Sequence, residues 1–159
     1  MRVETHRYRV GTVRPNTNNA QNRLTLETLA LYIVAATLGA MLFFAVGVAP
    51  TVFQALPIEQ AGLFLRKLFP RYYLALMMGS GVAGGLWISS APLPAAICLL
   101  IALSTLWIRQ RLVPRINQLR DAELAGDAAA GARFATLHRM SVIINMVQLL
   151  ALVVLLLKF

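Results

Sequence analysis

Acidic side chains are scarce in this chain: 6 Asp and Glu stand against 15 Lys and Arg in 159 residues, with two histidines and one cysteine. Each shortage removes a class of chemistry. One cysteine allows no disulfide within the chain and no multi-cysteine metal site. With His6 far from any apolar stretch, His138 alone cannot supply the three or four ligands a zinc site takes. No carboxylate pair stands within an apolar stretch, and neither a His-Glu-x-x-His nor a Gly-x-Ser-x-Gly arrangement occurs, so no catalytic residue is assigned. Charge of either sign is also sparse, at 13% of residues against 58% hydrophobic. With a mean hydropathy of +0.68, a soluble single domain could not hide that much apolar surface.

The apolar residues gather into four stretches, at about 26–49, 72–90, 92–109 and 140–157. An 18-residue helix covers about 27 Å, close to the hydrocarbon thickness of a bilayer. The expected fold is an all-α, integral-membrane four-helix bundle, with residues 25–159 as its four-span domain. The first stretch follows a polar tail and is longer than the apolar region of a signal peptide, so it reads as a retained span. Residues 1–24 hold five arginines and no apolar periodicity, and are expected to form a disordered basic arm. Thr25 is a candidate helix cap, with Glu27 in the first turn.

The net charge of +9 is distributed over the membrane flanks, which fits anionic headgroups and argues against nucleic acid. The first and third loops carry nine Lys and Arg, the two tails six. By the positive-inside rule, Pro50 to Arg71 and Arg109 to Arg139 are expected in the cytoplasm, across a bacterial inner membrane.

The first loop places apolar residues and Arg66-Lys67 at helical spacing between prolines, as a short interfacial helix would, or a re-entrant segment lining a cavity. Arg66, Lys67, Arg71, Tyr72 and Tyr73 are its expected interfacial anchors. In the second span Gly79, Gly81, Gly84 and Gly85 form a helix-packing face, with Gly81 and Gly85 as a small-xxx-small pair. The third loop reads as a cytoplasmic helical hairpin, bent at Pro114, ended by Gly126 and restarted by Asp127.

The fourth span has the most informative pattern. His138, Ser141, Asn145 and Gln148 fall within an arc of about 80° on one helix face. Amides and an imidazole facing hydrocarbon are costly, so this stripe should meet other helices or a wet cavity. Together with Arg120, Asp121 and Asn117 at the membrane edge, it forms the candidate polar site.

Four short runs carry a family resemblance: Phe43-Phe44 through Pro50 to Phe53; Leu68-Phe69-Pro70-Arg71-Tyr72-Tyr73; Pro114 to Asn117 with Leu119-Arg120-Asp121; and Phe134 with Leu137-His138-Arg139-Met140-Ser141 and Asn145. In their order they resemble the transmembrane-protein-205-like family, four-helix membrane proteins of bacteria and eukaryotes. The resemblance implies the same architecture from about Leu26 onward. It implies little mechanism, although a eukaryotic branch is associated with the handling of toxic metal-based drugs. A more distant similarity is to small copper-resistance and haem-pathway membrane proteins.

Two function classes follow. In one, the polar stripe lines the cavity of a small transporter or membrane binding protein; in the other, it holds helices together in an accessory or structural subunit of a membrane complex or homo-oligomer. A third, haem or copper binding, would use His138 with Met140, Met146, Met77 or Met78, because thioethers suit haem iron and Cu(I). Consecutive or widely spaced methionines are more often packing residues, so no cofactor is assigned.

Overall fold

A computed structural model describes residues 17–158, and the described residues are helical almost throughout. Helix α1 (Thr17–Leu42) passes through a π-helical turn, Phe43–Val48, into α2 (Ala49–Ala55). Helix α3 is Ile58–Trp87 and α4 is Pro92–Trp107, which continues through a second π-helical turn, Ile108–Leu112, into α5 (Val113–Leu124). Helix α6 is Ala128–Lys158. These form four rods packed as a membrane bundle.

Both π-helical turns directly precede a helix with proline in its first turn, Pro50 in α2 and Pro114 in α5. Proline lacks the N–H that would bond four residues back, and its ring collides with that carbonyl. A widened turn relieves the collision without ending the rod. The first span therefore does not close at Pro50, as expected from sequence, but runs on to Ala55. It breaks at Leu56, whose φ of −121° and ψ of 144° are the extended conformation that a following proline, Pro57, favours.

The expected interfacial helix is not a separate element. Residues 58–69 are the first turns of α3, which continues through Pro70. Its buried residues Ala61, Leu65, Tyr73, Leu76, Ser80, Ala83 and Trp87 recur mostly at intervals of three and four. One face therefore points inward on both sides of the proline, and that continuous burial holds the helix together. The tail also differs from expectation: α1 begins at Thr17, and the Thr25 hydroxyl donates to the Gln21 carbonyl within the helix at 3.0 Å, so it caps nothing. The rest of the expected disordered arm, residues 1–16, lies outside the described residues.

Among the described residues, three helices are long and apolar enough to cross a membrane, spanning Ala20–Ala55, Pro92–Leu124 and Ala128–Lys158. The rod α3 is the fourth helix of the bundle but not one of these three. Tyrosines, glycines and Arg71 dilute its apolar run, which it tolerates because it lies between α1 and α4 and faces them. The packing glycines explain how closely. A Cβ on Gly79 would collide with Thr37 of α1, and one on Gly84 would stand 2.9 Å from Leu99 Cγ and 3.1 Å from the Ala95 carbonyl of α4. Five residues apart, the two glycines face directions about 140° apart, one toward each neighbour. Gly81 makes an ordinary contact with Ala102 and Gly85 faces open space. The close approaches are thus made by Gly79 and Gly84 and not by the Gly81/Gly85 pair.

At the centre lie Val34, Met41, Leu76, Trp87, Cys98 and Leu152, each at most 1% exposed. Cys98 is a small apolar filler in this core. At the other connection, Gly126 has φ +103°, its N–H bonds to the Glu123 carbonyl and that of Asp127 to the Ala122 carbonyl, both at 3.0 Å. This is a Schellman ending of α5. Asp127 then accepts the Ala130 N–H at 3.0 Å and starts α6.

Candidate functional site

Where α2, α3, α5 and α6 meet at one end of the bundle, they enclose a cleft of about 610 Å³. Its walls are apolar and aromatic: Phe53 from α2, Leu65, Phe69 and Tyr73 from α3, Ile116 from α5 and Phe134 from α6. The polar groups that reach it are Glu59, Arg66, Asn117, Arg120, Asp121 and His138. Burial along α3 turns Leu65, Phe69 and Tyr73 inward, while Arg66 one residue on reaches across to α5. There its guanidinium donates to Asp121 Oδ1 at 2.8 Å. Arg120 bonds Glu123 at 2.6 Å and lies over the Phe134 ring, 5.3 Å from its centroid. His138, one turn along α6, stacks with the same ring at 5.8 Å and 13° between planes.

Four members of the expected polar site, Asn117, Arg120, Asp121 and His138, therefore come together in the cleft. The other three do not. Ser141 is buried and donates to the carbonyl of His138 in its own helix at 2.7 Å. Asn145 accepts from the Tyr72 hydroxyl at 2.8 Å. Gln148, 3% exposed, donates from Nε2 to Ser104 Oγ at 2.9 Å and Thr105 Oγ1 at 3.2 Å on α4. The stripe is one face of α6, yet its partners change along the helix from a cleft to α3 and then to α4.

The expected anchors also divide. Lys67 and Arg71 are exposed, whereas Tyr73 is 4% exposed and stacks with Phe69 at 5.8 Å. Tyr72 stacks with Phe44 at 4.4 Å. The tyrosines are bundle residues: the Tyr72 hydroxyl and ring meet Asn145 and Phe44 on other rods, and Tyr73 packs against Ile108, Leu112 and Ile116 of the α4–α5 rod. Among the described residues no three His, Cys, Asp or Glu gather as a metal site would require, and Met78 and Met146 face outward.

The sequence reading passed over Ser104 and Thr105, although two adjacent hydroxyls in an apolar run carry the same signal as Gln148. It also passed over Phe53, Phe69 and Phe134 as cleft walls, which no periodicity could have assigned to a shared space.

Residues 32–124 match the family model described as a domain of unknown function, DUF4149. That region contains the α2, α3 and α5 walls of the cleft and ends before α6. An "Uncharacterized protein" of Aquifex aeolicus (strain VF5) is 31% identical over 124 residues, covering 78% of this chain and 89% of the relative. No solved structure matches the chain. With more than half its length matched and the bundle described above, the chain belongs to the DUF4149 family of integral-membrane four-helix proteins.

Proposed function

We propose that this is a non-enzymatic membrane binding protein that accepts an amphipathic molecule in the cleft between α3, α5 and α6. The observation that carries the reading is the cleft itself. Its volume of about 610 Å³ lies within the range of small-molecule sites, roughly 300–1,000 Å³, and it combines apolar walls with a few convergent polar groups as such sites do. An apolar body would lie along Leu65, Phe69 and Ile116, with its polar end at Asn117, Arg120, Asp121 and His138. The polar stripe deeper in α6 plays a packing part in this reading, since Asn145 and Gln148 already bond to α3 and α4. Interhelical bonds of that kind average about 0.6 kcal/mol and need no ligand.

The reading includes the similarity to transmembrane-protein-205-like proteins, whose short motifs supply Phe53, Phe69, Tyr73, Asn117, Arg120, Asp121, Phe134 and His138 to this cleft. It also places the cleft end in the cytoplasm of a bacterial plasma membrane, supported by the nine cations of that end and by the bacterial relative. No catalytic step is assigned; of the methionines that haem or copper could use, Met78 and Met146 face outward and the half-buried Met140 packs against the cluster around Tyr73 and Ile108, so the reading assigns no cofactor.

A second reading, an accessory subunit of a larger membrane complex, is favoured by the engagement of Gln148 in helix packing. Native mass spectrometry after gentle extraction from the membrane separates the two. Gly62 lines the cleft and a Cβ there would meet nothing within 4 Å, so the helix accepts a side chain at this position and Gly62→Phe is expected to narrow the cleft. A small lipid-soluble adduct on the wild type that is missing from Gly62→Phe supports the binding protein. Bare protein in both cases overturns it, and stable co-purifying polypeptides establish the accessory subunit.

A further inference from the structure

Among the arginines at the cleft end, Arg71 and Arg109 bond to the backbone carbonyls of Lys67 and Pro70, and two more are held by acidic side chains. Arg66 and Arg120 are each held by a carboxylate, Asp121 and Glu123. Arg115 and Arg133 are not: among the described residues neither has an ion-pair partner, and Arg115 makes only a 3.3 Å bond to Gln118 one turn along its own helix. The two arginines come from different helices, α5 and α6, yet both line one open pocket of about 370 Å³ on the outer side of the hairpin. The rest of its wall is Leu119, Ala132, Thr136 and Leu137. No carboxylate lines it, and Thr136 donates its hydroxyl to the Ala132 carbonyl of its own helix. The pocket therefore offers two guanidinium groups above an apolar floor.

Its height relative to the bilayer narrows the occupant. The apolar run of the α4–α5 rod ends near Ile108, just before Arg109 and Arg111, and that of α6 begins near Met140. At 1.5 Å per residue, the backbones of Arg115 and Arg133 both lie about 10 Å beyond that boundary, at the same level. The polar headgroup layer extends roughly 5–8 Å outward on each side of the hydrocarbon, and long arginine side chains at its outer edge reach several ångströms back into it. Two unpaired guanidiniums at that level, paired with an apolar floor, match a phosphate joined to a glycerol and acyl chains. A soluble phosphate would gain nothing from Leu119, Ala132 and Leu137.

We propose that the Arg115/Arg133 pocket binds the headgroup of an anionic glycerophospholipid from the adjoining leaflet. This site is separate from the cleft and stands whether or not the cleft holds a ligand. Guanidinium forks bind phosphate oxygens in pairs, which fixes the hairpin against the membrane surface through α5 and α6 together.

The test uses the full chain in nanodiscs of equal phosphatidylglycerol and phosphatidylcholine, with retained lipids counted by native mass spectrometry. The wild type should retain phosphatidylglycerol preferentially. Arg115→Gln with Arg133→Gln should lower that preference about thirtyfold and leave phosphatidylcholine unchanged, since each cation near an anionic surface contributes about one kcal/mol, about fivefold in affinity. Arg23→Gln removes one cation at the opposite end of the bundle, away from this pocket, and should lower the preference clearly less than Arg133→Gln. Both target arginines are exposed, so the helical circular dichroism should be unaltered; if the double variant fails to assemble, Arg133→Gln alone, which breaks no bond in the fold, should lower the preference about fivefold. An unchanged preference in these variants, or an equal loss in Arg23→Gln, overturns the proposal. In phosphatidylcholine nanodiscs, saturable binding of inorganic phosphate that the double variant loses, without any phosphatidylglycerol preference, would make the occupant a soluble anion and overturn it as well.

Discussion

The Tyr72 hydroxyl on α3 donates to Asn145 Oδ1 on α6 at 2.8 Å, joining two rods that are separated by 73 residues of chain. This bond turns the middle of the α6 polar stripe into a helix–helix contact. Tyr72→Phe and Asn145→Leu should each lower unfolding stability by about 0.5–1.5 kcal/mol. A double-mutant cycle in micelles should give a coupling of about 0.6 kcal/mol and no more than about 1.7. Additive effects of the two changes would mean that the bond contributes nothing.

The α3–α4 contact should be sensitive to a single methyl group at one glycine and indifferent to it at the next. Gly84→Ala puts a carbon against the Ala95 backbone carbonyl, which cannot swing aside, and should cost about 1–3 kcal/mol. Gly85→Ala meets open space and should leave stability unchanged or slightly raised, as alanine favours helix. Thermal unfolding of the two variants side by side checks the contrast.

The α5–α6 turn depends on backbone conformation more than on contacts. At Gly126, φ +103° is strained for any L side chain, so Gly126→Ala should destabilise the hairpin by about 1–2 kcal/mol. Asp127→Ala removes the cap on Ala130 and should cost about 1 kcal/mol. Amide exchange confined to residues 122–131 should accelerate in both variants, while the core of α3 stays protected.

Across the mouth of the cleft, the Arg66–Asp121 pair has side chains 32% and 60% exposed. Water and salt screen such a pair, and Asp121→Asn should change stability by less than about 1 kcal/mol. The small difference from wild type should shrink further between low and molar salt. A large effect that persists in high salt would mean that the pair closes the cleft more firmly than its exposure allows.

Much of this architecture is legible in the residues. The apolar runs mark a membrane protein, and the Gly126-Asp127 dipeptide marks both an ending and a start through local chemistry alone. Not every proline that looks like a boundary is one. Pro50 and Pro70 look like boundaries, yet a π-helical turn absorbs the first and continuous burial of the α3 face carries the helix through the second. The real boundary lies at Leu56, where the residue before Pro57 turns extended. The glycine run predicts close packing, but the sequence cannot tell that Gly79 and Gly84 are the ones that meet neighbours, because that depends on where α1 and α4 stand.

The same division applies to the candidate site. Composition determined that this chain lives in a bilayer, and helical periodicity determined that His138, Ser141, Asn145 and Gln148 share one face, since both depend only on the chain's own residues and their turn angle. Only the tertiary structure decided that the face meets a cleft at His138, Tyr72 at Asn145 and Ser104 with Thr105 at Gln148. A helix's sequence fixes the direction of each side chain about its own axis, while the group waiting there belongs to another helix, placed by the packing of the whole bundle.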